Sequence, residues 1–371
     1  VAGAGLAFSD GDEPPRPGPG LVSAWAPYWQ TGTALDSFET NADLFHDVTI
    51  VAYRSVDVDQ VLPYENLAAD AVDNFRRAAD AAGVPLIVSI FDEAPAGRMA
   101  SILADPETRT RHVRAVVDVV RDGGFDGVDL DYEQFAFADG RASWAATRPN
   151  WIAFLRELDA ALGDRLLMTS VPPVYDDGQT GESGYWVYDH AAMGEIVDFV
   201  RIMAYDYSTS DPGPIAPIEW VRQLSDATAA LIPREKVLLG VPAYGHDWPV
   251  GTTGTCPADA EPRRRSVTTS SAPVVAAERG ATITHDPVTA EAGFSYTETL
   301  TGVDASGDAT SCTVDRTVRF MDPTGIGVRA ELARDLGFGG VAIWALGNED
   351  DLSWAALRRI APPPTTTPTA T

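Results

Sequence analysis

The chain has 371 residues, 45% of them hydrophobic and 22% charged, enough for a large core and incompatible with a wholly disordered polypeptide. It carries 27 Lys and Arg against 54 Asp and Glu, a net charge of −27. That field repels phosphate backbones and anionic lipid, so nucleic-acid binding is not expected, whereas a neutral ligand such as a sugar meets no such penalty. No apolar run reaches the roughly 18 residues of a membrane span.

Residues 1–20 are rich in Gly, Pro and acid, lack periodicity and are expected to be a disordered leader. The chain starts without Met and shows no basic segment followed by an apolar core, so an export signal is expected either to have been removed or to lie upstream. From Leu21, short β-branched runs alternate with amphipathic helical stretches. The expected strands are Leu21–Tyr28, Asp47–Tyr53, Pro85–Phe91, Phe125–Glu133, Leu166–Pro172, Asp198–Tyr205, Val237–Tyr244 and Gly339–Trp344. Eight strands separated by helices predict an α/β fold, a TIM (β/α)8 barrel. Asp105-Pro106-Glu107 is a helix start ahead of the Val113/Val116/Val117/Val120 face. A further helix is expected over Pro149–Leu162, and Gly83 and Gly123 should end helices.

The alternation fails once, over residues 247–323, where β-type stretches replace helical periodicity. A structureless loop of that length would be unusual, so a small, mostly β insertion domain after the seventh strand is expected, interrupting a barrel of residues 21–246 and 324–360. The two cysteines of the chain, Cys256 and Cys312, lie within it. They are either two buried thiols or one disulfide of an exported protein, and the other signs of export favour the disulfide. The Pro/Thr tract of residues 361–371 has the composition of a linker or stalk. A secreted or cell-surface monomer is expected.

The most informative segment is Gly123-Gly124-Phe125-Asp126-Gly127-Val128-Asp129-Leu130-Asp131-Tyr132-Glu133. As a strand of period two it puts Asp129, Asp131 and Glu133 on one face and Val128, Leu130 and Tyr132 on the other. The apolar set suits the helix layer, so the acids point into the barrel. Carboxylates crowded there raise at least one pKa and favour a protonated acid near neutral pH. Glu133 comes last, at the C-terminal end where barrel active sites lie. A metal site is the rival reading. It is disfavoured because alternate side chains on a straight strand stand nearly 7 Å apart, roughly twice the rise per residue, so no metal or cofactor is expected.

FDGVDLDYE resembles the DxxDxDxE signature of glycoside hydrolase family 18, the chitinases and endo-β-N-acetylglucosaminidases. Met203-Ala204-Tyr205-Asp206 resembles the MxYD motif of that family, Val241-Pro242-Ala243-Tyr244-Gly245 its G-x-P-x-Y-G segment, and Trp344 the tryptophan that floors the sugar site. The third strand ends Ser89-Ile90-Phe91-Asp92 rather than SxGG, and Gln134-Phe135-Ala136 follows Glu133. These departures are similar to the bacterial cell-wall and spore-cortex branch.

The resemblance implies hydrolysis of β-linked N-acetylglucosamine-containing glycans (chitin fragments, peptidoglycan or N-glycans) with retention, the substrate's 2-acetamido group acting as nucleophile. Glu133 would be acid and then base. Asp131 would orient the acetamide and stabilise the charged intermediate. Asp129 would share a proton with Asp131, and Asp126 would support the pair. Tyr205 would donate to the acetamide oxygen. Asp206, Met203 and Trp344 would bind the sugar. Tyr28, Trp29, Tyr53, Tyr244 and Trp248, at strand ends, could line a groove or simply pack. Arg201 should pair with a carboxylate. The alternative function is a sugar-binding lectin on the same barrel; such relatives lose the catalytic Glu, whereas Glu133 and Asp131 are both present.

Overall fold

The computed structural model describes residues 18–175 and 184–361. The expected leader and Pro/Thr tail lie outside these residues, apart from positions 18–20 and 361. Strands follow in the order β1 (Leu21–Pro27), β2 (Asp47–Asp57), β3 (Gln60–Pro63), β4 (Leu86–Asp92), β5 (Gly127–Asp131), β6 (Leu166–Val171), β7 (Phe199–Ile202) and β8 (Val237–Pro242). Then come β9 (Tyr244–Gly254), β10 (Arg265–Thr268), β11 (Thr284–Asp286), β12 (Glu291–Val303), β13 (Ala309–Phe320) and β14 (Gly340–Trp344).

Eight parallel strands, β1-β2-β4-β5-β6-β7-β8-β14, close on themselves through the β14–β1 pairing. This is the (β/α)8 barrel, with each expected strand present. The strand β3 is unforeseen. It is only four residues long and pairs antiparallel with the outer end of β2, too short to give a periodic signal.

Local chemistry accounts for the helices. Asp105 caps Pro106–Asp122, its Oδ1 accepting from the Glu107 amide at 3.0 Å, and Val113, Val116, Val117 and Val120 are its buried face. Gly83 ends Ala71–Ala82 with φ +68°, a conformation that costs a side chain but not glycine. The helix expected from Pro149 starts earlier, at Trp144. Trp144 is buried against Tyr185 and Trp186, and that burial extends the helix backwards despite the N–H missing at Pro149.

Inside the barrel, one layer is polar. Ser23, Asp47 and Thr49 surround the wholly buried Arg201, whose Nη2 donates to all three at 2.7 Å. Arg201 also pairs with Asp129 at 3.2 Å, and its guanidinium lies 4.8 Å from the Trp25 ring centroid. This layer is the floor of the site described below.

The insertion is a five-stranded antiparallel sheet, β10-β9-β13-β12-β11, with helix Ala272–Glu278 against it. Val267, Ala272, Phe294, Tyr296, Val318 and Phe320 make its own small core. It begins at Tyr244, two residues after β8, where Gly245 already pairs with Phe320. Cys256 and Cys312 form a disulfide with Cα atoms 4.7 Å apart. No helix among the described residues is long and apolar enough to cross a membrane.

Candidate active site

The strand β5 holds the acid row by alternation. Val128 and Leu130 are fully buried in the barrel–helix core, while Asp129 and Asp131 point inward. The strand ends at Asp131. Tyr132 packs among His112, Trp151 and Phe154, and its hydroxyl lies 2.8 Å from His112 Nε2. Glu133 has left the pleat. It stands where the chain turns into the short helix Gln134–Phe137, at the mouth of the barrel.

Asp129 is fully committed to its neighbours. Its Oδ2 accepts from Trp25 Nε1 at 3.0 Å and faces Arg201, and Ser170 Oγ donates to the carboxylate at 2.8 Å. Asp131 differs: its Oδ1 is buried and unpartnered among the described residues. Burial, then the charges of Glu133 and Asp129, push the Asp131 carboxyl well above the usual range. Burial also raises Glu133, to about 6, with a hydrogen bond from Asp131 pulling down and the charge of Asp206 pushing up. Asp131 and Glu133 are therefore one coupled pair, each pushed upward by burial. The sharing expected between Asp129 and Asp131 is not the arrangement seen, because the oxygens of Asp129 face Trp25, Ser170 and Arg201.

Two cavities meet at Glu133. One, of about 300 Å³, is lined by Trp25, Tyr28, Trp29, Tyr64, Phe91 and Trp344 with Asp131 and Ser170 at its base. The other, of about 540 Å³, is lined by Phe137, Tyr175, Tyr185, Tyr207 and Trp220. Glu133, Met203, Tyr205 and Asp206 border both. The aromatic wall of the smaller cavity is cross-braced: Tyr28 stacks on Tyr64 with centroids 3.9 Å apart, and Trp344 meets Trp25 and Trp29 edge-on. A cis peptide joins Trp344 to Ala345. The described lining residues of the two cavities include no Lys, Arg or His.

Tyr205 is raised well above its usual pKa by burial and by the surrounding acids, so it stays a neutral phenol able to donate. Asp206 follows it at φ +59°. Burial works to raise Asp206, but the His246 ring 3.9 Å away and a hydrogen bond from Tyr244 hold it below the usual carboxylate range. Tyr244 thus reaches the site through Asp206 rather than as a lining residue.

Three expected positions lie elsewhere. Asp126 is exposed at the opposite, N-terminal end of β5, where its Oδ2 accepts from the Leu86 amide at 2.8 Å. It fastens strands and is too remote to bind substrate or to support Asp131 directly. Asp198 bonds the Leu167 amide at 2.8 Å in the same way. Tyr53 lies on the outer surface beside Phe125, and Trp248 is buried with Nε1 donating to the Thr209 carbonyl. Trp25, Tyr64, Phe91 and Ser170 were not foreseen. They gather from four different strands or loops, and only the closed barrel brings them together.

A (β/α)8 barrel with an acid pair at its mouth between aromatic cavities is the framework of a sugar-processing protein. The family description "Glycosyl hydrolases family 18" matches residues 22–349, and the chain belongs to that glycosidase family. The chain is 28% identical over 300 residues to the cortical fragment-lytic enzyme of Bacillus subtilis, covering 78% of this chain and 63% of that relative. It spans only 33% of the length of another Bacillus subtilis relative, to which it is 36% identical over 153 residues. In fold it is similar to the Bacillus cereus spore cortex-lytic enzyme SleL, with TM-score 0.75 at 19% identity over 95% of this chain and 76% of that one. A chitinase from Chromobacterium violaceum gives TM-score 0.72 at 24% identity, covering 92% and 98%.

Proposed function

We propose that the protein is an exported hydrolase that cleaves β-linked 2-acetamido glycans within the strand, with the substrate's own acetamide as nucleophile. The observation that carries this reading is the position of Glu133 at the junction of two aromatic cavities, hydrogen-bonded to Asp131 and beside Tyr205. A glycan threaded through both cavities puts a glycosidic oxygen, rather than a chain end, at Glu133.

In the first step Glu133 gives its proton to the leaving oxygen while the acetamide oxygen attacks the anomeric carbon, closing an oxazolinium-like ring. With the single proton of the pair on Glu133, Asp131 is the carboxylate that accepts from the acetamide N–H and balances the positive charge. Tyr205 donates to the acetamide oxygen and aligns it. Glu133, now a carboxylate, takes a proton from water, which opens the ring with overall retention. Trp344 and Trp25 support the sugar from below. Asp129 and Arg201 act through their hold on the floor.

A groove with three carboxylates and no cation among its described lining residues favours neutral sugars over carboxylate-bearing ones. Export is supported by the Cys256–Cys312 disulfide and by relatives named for cortex lysis. Product analysis by mass spectrometry after incubation with chitin oligomers, peptidoglycan and N-glycans tests the reading. Internal cleavage next to an N-acetylglucosamine is expected. Binding without any product would favour the lectin alternative and overturn it.

A further inference from the structure

Between Asp131 and Glu133 the barrel ladder runs out. The pairing of β5 with β4 stops at Asp131, opposite Phe91, and its pairing with β6 stops at Leu130. The carbonyl of Tyr132 lies beyond both ladders, in a residue with no exposure, where an unpaired acceptor is costly. A side chain takes it up: the hydroxyl of Tyr188 donates to the Tyr132 carbonyl oxygen at 2.8 Å. That carbonyl belongs to the planar peptide unit whose nitrogen is that of Glu133. The bond therefore fixes the plane from which the Glu133 side chain departs. One step on, the Glu133 carbonyl accepts from the Ala136 and Phe137 amides at 3.0 and 2.9 Å and turns the chain into its short helix.

Tyr188 comes from the connection between β6 and β7, in the single turn Trp186–Tyr188. Its ring is also without exposure and packs on Phe135 and Trp151, with centroids 5.2 and 5.9 Å away. Phe135 follows Glu133 by two residues, so the ring and the hydroxyl of Tyr188 hold the chain on either side of the acid. Burial, then the charges of Glu133, Asp131 and Asp92, keep the phenol well above its usual pKa, and its proton stays available to the carbonyl. The side chain of Tyr132 is fixed separately. His112 Nδ1 stands 2.9 Å from the Val58 carbonyl and must donate there, so its Nε2 accepts from the Tyr132 hydroxyl at 2.8 Å.

We infer that Tyr188 is a positioning residue: by holding the Tyr132 carbonyl it sets the peptide that carries Glu133, and so the place of the acid beside Asp131 between the two cavities. The inference rests on Glu133 being the acid of the proposed function. Tyr185, three residues before Tyr188, lines the larger cavity. One short segment thus both walls that cavity and holds the acid at its edge.

Tyr188→Phe removes the donor and keeps the ring. It should lower kcat at least about tenfold and change KM less than about twofold, the pattern of a misplaced catalytic group. Tyr132→Phe removes a buried hydroxyl of the same kind but leaves the carbonyl and its bond in place. It should lower the melting temperature and keep kcat within about threefold of wild type. Tyr188→4-aminophenylalanine restores an N–H donor on the same ring and should recover kcat to within about threefold of wild type. Amide hydrogen exchange supplies a readout that needs no substrate. Residues 133–138 should exchange at least about tenfold faster in Y188F than in wild type, and at the wild-type rate in Y132F. A tyrosine that only filled space would lower the melting temperature of Y188F while kcat and exchange stayed at wild-type values, and that result overturns the inference. If Y188F does not fold, the 4-aminophenylalanine variant decides: recovered activity supports the hold on the carbonyl, and a loss as severe as that of Glu133→Gln overturns it. Faster exchange in Y188F alone, in a protein that cleaves no glycan, would overturn the proposed function and leave the hold of Tyr188 on the turn established.

Discussion

Glu133 owes its character to its surroundings. Because burial raises it to about 6, it keeps a proton in weakly acidic solution and can act as a general acid there. As pH rises through that value the acid is lost, so kcat/KM should fall along a basic limb with an apparent pKa near 6, measurable by initial rates across a pH series. Glu133→Gln should cost at least about 10²-fold at the optimum while leaving the melting temperature nearly unchanged. Arg201 is the other pivotal side chain. It is the shared countercharge of Asp47 and Asp129 in a layer with no exposure. Arg201→Met should therefore destabilise by about 3–5 kcal/mol in urea denaturation, because two buried carboxylates lose their partner. The acid row and a carboxylate partner for Arg201 are legible in the sequence, since both follow from period two and from the cost of buried charge. The clasp of Trp25 and Ser170 on Asp129 is not, because it joins residues 104 and 41 positions apart. Asp126 shows the opposite error: it shares the motif but falls before the strand, where it faces the other end of the barrel.

At the scale of elements, the insertion does more than decorate the mouth. Trp248 and Arg264 bond the Thr209 carbonyl, and Glu291 accepts from the Ile215 and Ala216 amides at 2.8 and 2.7 Å. Arg329, from the helix Pro323–Asp335, bonds the Ala216 carbonyl and pairs with Glu291 at 3.6 Å. The loop after β7, which brings Tyr207 and Thr209 to the larger cavity, is thus held by the insertion. The eight barrel strands were readable because each is an apolar run between helix signals. The internal pairing of the insertion was not, since strands of mixed Thr, Glu and Ser have no distinctive apolar face until they meet. The Cys256–Cys312 bridge closes a loop of sequence separation 56, for which the chain-entropy account gives roughly 4 kcal/mol. Reduction should lower the melting temperature by several degrees. Without reductant, the denatured chain should show no thiol to an alkylating probe, and two alkylated cysteines per chain would refute the bridge.

For the molecule as a whole, charge and shape act together. A net charge of −27 surrounds a groove walled by aromatic rings and floored by acids, which suits a neutral, hydroxyl-rich chain whose ring faces stack on tryptophan and tyrosine. Trp29, Phe137 and Tyr207, each more than half exposed at 57%, 51% and 55%, lie at the two cavities, where the proposed reading would place sugars beyond the reacting one. In the proposed mechanism the substrate brings its own nucleophile, and Asp131 and Tyr205 would hold its acetamide. The most direct measurement of this claim is a paired assay: hydrolysis of a 2-acetamido glycoside against its 2-hydroxy counterpart, with a thiazoline mimic of the cyclic intermediate as inhibitor. The account predicts that only the acetamido substrate is cleaved and that the thiazoline inhibits, because it resembles the bound intermediate. Equal cleavage of both glycosides, with no inhibition, would contradict it.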